Sequence, residues 1–441
     1  MLDWSLFSGA FPTVIVVVGI VAGAGLALFG GIGRRWWFLV VPAVIVGATA
    51  VTFLLLWLVT DVWRPFPDRL PTSVWVWGGI AVAAVGLAVA VQVLAGRGRV
   101  AWLRRIAAVL AAALVAVTAA QSVNLVFQAY PTTRTALGID YPDQQEFADT
   151  PTHAARLVRP TPDVPLEQTW TPPAGLSMDG RVAQVQIPAT TSGFPARPAW
   201  VYLPPAYLST TRAQLPVLVL LSGQPGDTND WLNGGRLSDR MDRYAAEHHG
   251  LAPVVVMPDD TGGQFANPLC MDSKLGNAAT YLTVDVPAWI RRHLQVNPDP
   301  AAWSVGGFSY GGTCALQLAL TAPGVYPTLV DISGQQEPTL GDRATTVRAA
   351  FGTGPDAEAR FKAVNPLDLL ATRRFPQLAA AVTSGDKDAQ YQPAARRIAA
   401  ALQAAGVATE LTIVPGGHNY EAWGAGLEAA LPWLGRRLKI S

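Results

Sequence analysis

Trp303 to Leu320 reads WSVGGFSYGGTCALQLAL, and the reading of this stretch decides the fold. A short apolar run leads to a glycine-flanked serine, Ser309, and then to apolar residues at helical spacing. Strand, sharp turn, helix is the order this predicts. Gly307-Phe308-Ser309-Tyr310-Gly311 fits G-x-S-x-G, in which the serine sits at the tip of a strained turn and small flanking residues let strand and helix pack closely. A pattern this short recurs by chance in glycine-rich chains, so context has to decide. The motif requires a strand before it, a helix after it, and an acid and then a histidine further along.

The residues around it supply that context. From Asp179 to Ser441 short β-rich runs alternate with helical patterns, the signature of an α/β fold with a mostly parallel sheet. Strands are expected at Arg181 to Ile187, Ala199 to Leu203, Val217 to Leu221, Val254 to Met257, Thr328 to Ile332, Ala380 to Thr383 and Glu410 to Val414, with a helix over about Ala279 to Leu294. Ser309 then stands at the carboxyl end of a central strand, where open α/β sheets hold their ligands.

A serine hydroxyl needs a base to take its proton and a third group to fix the base's tautomer. Of five histidines, His153 lies in a proline-rich stretch, His248 and His249 end a polar helix, and His293 precedes the Ser309 strand. His418 follows the last expected strand, in Pro415-Gly416-Gly417-His418-Asn419-Tyr420, and it alone lies C-terminal to Ser309. It is the candidate base. The acid belongs after the preceding strand, where Ser384-Gly385-Asp386-Lys387-Asp388 offers two carboxylates. Asp388 fits G-x-x-D spacing, and Asp386 is the other choice, because a turn aspartate often caps its own backbone. The order serine, acid, histidine is that of the α/β hydrolases. An oxyanion hole would take its N–H groups from Tyr310, directly after the serine, and from Ser222-Gly223-Gln224-Pro225-Gly226, where Gln224 is the expected donor and Pro225 has no N–H. Asp227, Asp230, Asp259 and Asp260 have no histidine or cysteine cluster beside them, so they read as turn carboxylates; no metal and no cofactor is expected.

These residues resemble a family. VYLPPAY at Val201 to Tyr207, LVLLSGQPGDTNDW at Leu218 to Trp231, YLTVDVPAWI at Tyr281 to Ile290, GGFSYGG and GGHNYEAW are similar to the esterase branch of the α/β hydrolases that includes esterase D type enzymes and the antigen 85 mycolyltransferases. The resemblance runs from about Arg181 to the end of the chain. It implies a carboxylic-ester hydrolase or acyltransferase, with Ser309, Asp388 and His418 at the family's catalytic positions and Gln224 and Tyr310 at its oxyanion positions. Two departures stand out: Ser222 occupies a place that is histidine in many of these esterases, and the mycolyltransferases carry glutamate as their acid.

The N-terminal part is of another kind. The chain has 441 residues, 50 % hydrophobic and only 14 % charged, and nearly all of the apolar excess lies before Pro131. Four uncharged stretches, Trp4 to Gly33, Trp36 to Thr60, Pro71 to Gly96 and Ile106 to Ala129, each reach the roughly 20 residues that cross a bilayer. Residues 1–130 are therefore expected to form a multi-pass, four-helix transmembrane domain, with the first helix retained because no positive region precedes it. Arg34 and Arg35 lie between the first two spans, and Arg97, Arg99, Arg104 and Arg105 between the last two. By the positive-inside rule these loops are cytoplasmic, which leaves both termini and everything after Gln128 outside the cell membrane. Trp57, Trp63, Trp75 and Trp77 then form an outer aromatic belt. With no ionisable residue inside a span, an anchor or assembly role is favoured over transport. Gly19 to Gly23 is a GxxxG, and Gln121, Asn124 and Gln128 share one face of the last span, suited to bonding neighbouring helices or headgroups. Residues 131–178 contain eight prolines and read as a semi-extended linker whose ends, as a flexible coil, would lie roughly 40 Å apart. Residues 179–441 are the hydrolase domain.

A net charge of +1 without a long basic run argues against nucleic acid as a partner. Lysine is scarce beside arginine and alanine, as in a GC-rich genome. The two cysteines, Cys270 and Cys314, both fall in the part expected outside, where an even count favours a disulfide and two buried thiols is the other reading. The expected activity is that of a membrane-anchored serine esterase acting through an acyl-enzyme. Its expected partners are the bilayer and a lipid or cell-envelope ester, an aminoacylated phospholipid included. Acyl transfer to a sugar or lipid hydroxyl is one alternative, and a non-catalytic binding or assembly domain the other.

Overall fold

In a computed structural model the described residues are 2–29, 33–66, 69–139, 144–147 and 154–441. They form two compact units, which meet in sequence between Ile139 and Asp140.

The first unit is helical. α1 (Ala10–Phe29), α2 (Trp36–Trp63), α3 (Thr72–Leu94) and α4 (Arg99–Phe127) are each long and apolar enough to cross a bilayer. Their outward faces carry exposed apolar side chains such as Phe38, Val46, Phe53 and Val93. That pattern suits a lipid solvent and would be costly in water. Helix–helix contact is made by small residues. At Gly19, one end of the GxxxG, a Cβ would lie 2.0 Å from Thr118 Oγ1, and that hydroxyl donates to Ile15 O at 3.0 Å across the α1–α4 seam. Gln121 Nε2 donates to Leu6 O at 2.6 Å, so this polar residue bonds a neighbouring segment. Two of the helices run past the expected spans. α4 begins at Arg99 and so takes in Arg104 and Arg105; α2 ends in a π-helical turn, Leu58–Trp63, that holds Asp61. Ionisable groups thus occupy helix ends, with Arg105 donating to Ala95 O at 2.9 Å.

The second unit is built on a nine-stranded sheet. Its strands are β1 (Gln144–Glu146), β2 (Arg181–Val185), β3 (Ala199–Leu203), β4 (Val217–Leu221), β5 (Val254–Met257), β6 (Trp303–Phe308), β7 (Thr328–Ile332), β8 (Ala379–Gly385) and β9 (Ala408–Val414). Their order across the sheet is β1-β2-β3-β5-β4-β6-β7-β8-β9. β3 pairs antiparallel with β2 and with β5, and the other neighbours are parallel. The central strands are buried along their whole length, as strands covered on both faces must be. β9 alternates between exposed and half-buried positions, as an edge strand does. Three helices matter for the site: α5 (Tyr310–Thr321), α6 (Tyr391–Ala404) and α7 (Tyr420–Arg437).

The stretch expected to be a free linker is largely part of this unit among the described residues. β1 pairs with β2, Arg156–Val158 pairs with Thr211–Ala213, Leu166 donates its N–H to Lys439 O at 2.8 Å, and Trp170 is buried. Apolar residues at wide, irregular spacing gave no periodicity to read, yet Leu166 and Trp170 join the main core. His153 lies outside the described residues. The helix expected over Ala279 to Leu294 is present, with a π-helical turn at Tyr281–Asp285 ahead of Val286–His293.

Candidate active site

Ser309 stands between β6 and α5 with φ 53° and ψ −120°, a backbone conformation that L-residues avoid and that costs on the order of 1–3 kcal/mol. The turn is held on both sides. Ser309 N–H donates to Ile332 O at 2.8 Å, and Thr313 N–H donates to Ser309 O at 3.1 Å. Gly311 is required by close approach, since a Cβ there would sit 2.4 Å from Ser222 O. The loop after β4, which carries Gln224, therefore runs across the first turn of α5.

His418 and Asp388 come from the loops after β9 and β8, and main-chain bonds stitch these loops together. Asp386 N–H donates to Val414 O and Lys387 N–H to Gly416 O, both at 2.8 Å, and Gly416 N–H donates to Asp386 Oδ1 at 2.9 Å. Parallel pairing of β8 with β9 up to Gly385 and Val414 delivers the two loops side by side. His418 Nδ1 lies 2.8 Å from Asp388 Oδ2, and His418 Nε2 lies 3.0 Å from Ser309 Oγ. An ionised carboxylate can only accept, so Nδ1 carries the proton and Nε2 is left to accept from the serine. Asp388 is buried, its other oxygen taking the Tyr391 N–H at 3.1 Å at the start of α6. The positive end of that helix favours the carboxylate's charge. Of the two acids left open by spacing, Asp388 meets the histidine, and Asp386 holds the histidine's loop.

Tyr310 opens α5 directly after Ser309, and Gln224 lies in the loop after β4. The first-turn N–H groups of α5, Tyr310 among them, have no partner within the helix. The Tyr310 ring is buried, its hydroxyl accepting the Cys270 N–H at 2.9 Å. Burial, reinforced by the Asp260 charge, pushes this phenol well above its usual range. Gln224 Nε2 donates to Phe265 O at 3.1 Å, and Gly226 N–H donates to Gln264 O at 3.0 Å, so the loop after β4 leans on the segment after β5. Arg197 braces both. It donates to Asp259 Oδ1 at 2.8 Å and to Gly226 O at 3.1 Å, and it pairs with Asp227 at 3.3 Å. These hydrogen bonds hold the Asp259 carboxyl below its ordinary range against the opposing effect of burial.

Cys270 and Cys314 form a disulfide with a Cα–Cα distance of 5.3 Å, tying the 269–271 loop to α5. Leu269 and Met271, on either side of Cys270, pack into a separate apolar cluster with Val347, Ala350, Phe351 and Phe361 from the segment at residues 334–375, which links β7 to β8. Sequence reasoning missed Arg197, whose partners are distant in sequence, and Tyr391, which no spacing rule marks.

The profile of the Putative esterase family matches residues 196–434, more than half of the chain. The protein belongs to that family. Its similarity to an uncharacterized protein of Corynebacterium glutamicum is 34 % identity over 453 aligned positions, covering 99 % of each chain, so the match runs through both units. Among solved structures, a ferulic acid esterase aligns with a TM-score of 0.50 and 19 % identity, over 59 % of this chain and all of that one. An S-formylglutathione hydrolase from Agrobacterium tumefaciens aligns at 0.48 and 20 %, over 59 % and 97 %. At such identities the likeness is one of fold, here the α/β-hydrolase fold that the strand order describes.

Proposed function

We propose that this member of the Putative esterase family is a membrane-anchored serine esterase that acts outside the cytoplasm through an acyl-enzyme. One observation carries the reading: Asp388, His418 and Ser309 are linked at 2.8 Å and 3.0 Å, with the serine on a strained strand–helix turn. His418 Nε2 takes the Ser309 proton as Oγ attacks the ester carbonyl, and the tetrahedral oxyanion is held by the N–H groups of Gln224 and Tyr310. His418, now a cation paired with Asp388, gives its proton to the departing alkoxide. Water activated by the same histidine then releases the acid and frees Ser309. A neutral nucleophile needs this relay, because a serine hydroxyl is scarcely ionised at neutral pH.

The four apolar helices, the arginines at and beside the first and third turns between them and the disulfide support an outward-facing domain on a membrane-anchored chain. That location favours a lipid or envelope ester. The test is labelling of the purified full chain in detergent with a fluorophosphonate, followed by hydrolysis of short-chain aryl esters by wild type and Ser309→Ala. Loss of both signals in the variant is the expected result; labelling independent of Ser309 would refute the reading. Transfer shares the first half-reaction, and added sugar or lipid acceptors would reveal it as a new ester. Protease treatment of intact cells, expected to cleave the second unit from outside, tests the topology.

A further inference from the structure

Beyond the three linked side chains, one residue touches both the acid and the base. The Tyr391 ring lies flat against the His418 imidazole, with centroids 3.9 Å apart and planes inclined by 15°. Its backbone N–H donates to Asp388 Oδ1 at 3.1 Å. Trp423 closes the other approach, its ring edge-on to the imidazole at 4.9 Å. Tyr391 is almost fully buried, so its ring is fixed by packing rather than free to turn. Its hydroxyl meets Gln335 Nε2 at 3.5 Å, and Gln335 N–H donates to Thr313 Oγ1 at 2.7 Å on α5. The ring is thus seated between the histidine and the first residues of the 334–375 segment.

We propose that Tyr391 is a positioning residue for the Asp388–His418 pair, its ring setting the plane of the imidazole while its N–H sets the carboxylate. The proposal rests on the serine-esterase reading above. Two physical consequences follow. An imidazole hydrogen-bonded at Nδ1 can still swing about that bond, and a flat ring at 3.9 Å removes the swing, keeping Nε2 aimed at Ser309 Oγ. The aromatic face also attracts the imidazolium formed in the transition state, as rings attract cations. Both effects act on kcat rather than on substrate affinity, because neither involves a group that touches the ester before reaction.

The test uses the full chain in detergent, with aryl-ester hydrolysis measured from pH 5 to 9 for wild type, Tyr391→Phe, Tyr391→Leu and Tyr391→Met. Phenylalanine keeps the face and the N–H, so kcat is expected to stay within about threefold of wild type. Leucine and methionine keep the N–H and lose the face. They are expected to lower kcat by about 10- to 100-fold with KM within about twofold, and to move the acid limb of the kcat/KM profile down by about half to one pH unit. Methionine, flexible enough to fill the space, serves if leucine disturbs folding as read by circular dichroism. A folded leucine or methionine variant with wild-type kcat and acid limb overturns the proposal, and so does a phenylalanine variant as impaired as they are. Failure of the esterase reading looks different: the wild type itself would then show no Ser309-dependent turnover.

Discussion

Asp386 accepts the Gly416 N–H at 2.9 Å, two residues ahead of the histidine that its neighbour Asp388 engages. Two carboxylates two positions apart thus act on one loop in different ways, one on its backbone and one on its imidazole. Asp388→Asn is expected to lower kcat by about 10³- to 10⁴-fold, since an amide in that place favours the wrong tautomer. Asp386→Asn retains a carbonyl oxygen to accept the Gly416 N–H and is expected to stay within a few-fold of wild type. Steady-state hydrolysis by both variants checks the assignment, which is reversed if Asp386→Asn suffers the larger loss.

The Cys270–Cys314 bond closes a loop across a sequence separation of 44, which in the chain-entropy account stabilises by about 4 kcal/mol. Unreduced, denatured protein should show no reactive thiol, and reduced protein two. The double variant Cys270→Ser/Cys314→Ser should unfold at a markedly lower temperature; an unchanged midpoint would show that the loop is held by packing alone.

Asp331 lies fully buried on β7, beside α5, with Oδ1 accepting the Gly334 N–H at 2.9 Å and no partner at Oδ2 among the described residues. Burial pushes its carboxyl up to about 7. The sign follows from proton counting. Between the unfolded value and about pH 7 the folded chain holds a proton that the unfolded chain has released, so this group's contribution to stability falls as pH rises through that window and is lowest above it. Asp331→Asn, which cannot ionise, should therefore flatten the pH dependence and gain most above pH 7, by as much as ~4 kcal/mol. Thermal midpoints at pH 5 and pH 8 check this, and an equal shift at both would contradict it.

Arg343 pairs with Glu337, Glu358 and Asp368, each at 2.8 Å, and is partly exposed. Because solvent screens such pairs, the expected cost of Arg343→Ala is only about 1–2 kcal/mol, much of it from three carboxylates left facing one another. The loss should be local to the 334–375 segment. Limited proteolysis is expected to cut there faster in the variant, while Ser309 labelling persists; global unfolding instead would contradict it.

How much was legible in the sequence depended on how local each signal was. β3, β4, β5 and β7 coincide with the runs read as strands because each is a short apolar run buried along its whole length. Ser309 and His418 were marked by their own loops. Spacing alone left Asp386 and Asp388 open, because what separates them is a backbone bond to Gly416, a partner 30 residues away. Arg197 was hidden for the same reason, with Asp259 62 residues distant. Trp170 and Leu166 were read as linker because they stand among prolines at no regular apolar spacing, although they join the main core.

The three residues Leu269, Cys270 and Met271 have an implication for redesign. Two of them are apolar handles inside the core of the 334–375 segment, and the third is bonded covalently to the helix that follows Ser309. Anyone exchanging residues 334–375 would have to preserve the sockets for those two side chains, together with Leu369, Leu370 and Phe375, which belong to the main core, and Gln335, which bonds Thr313. The segment is thus fastened near both ends to the body that carries the serine, and a graft there would have to reproduce those fastenings.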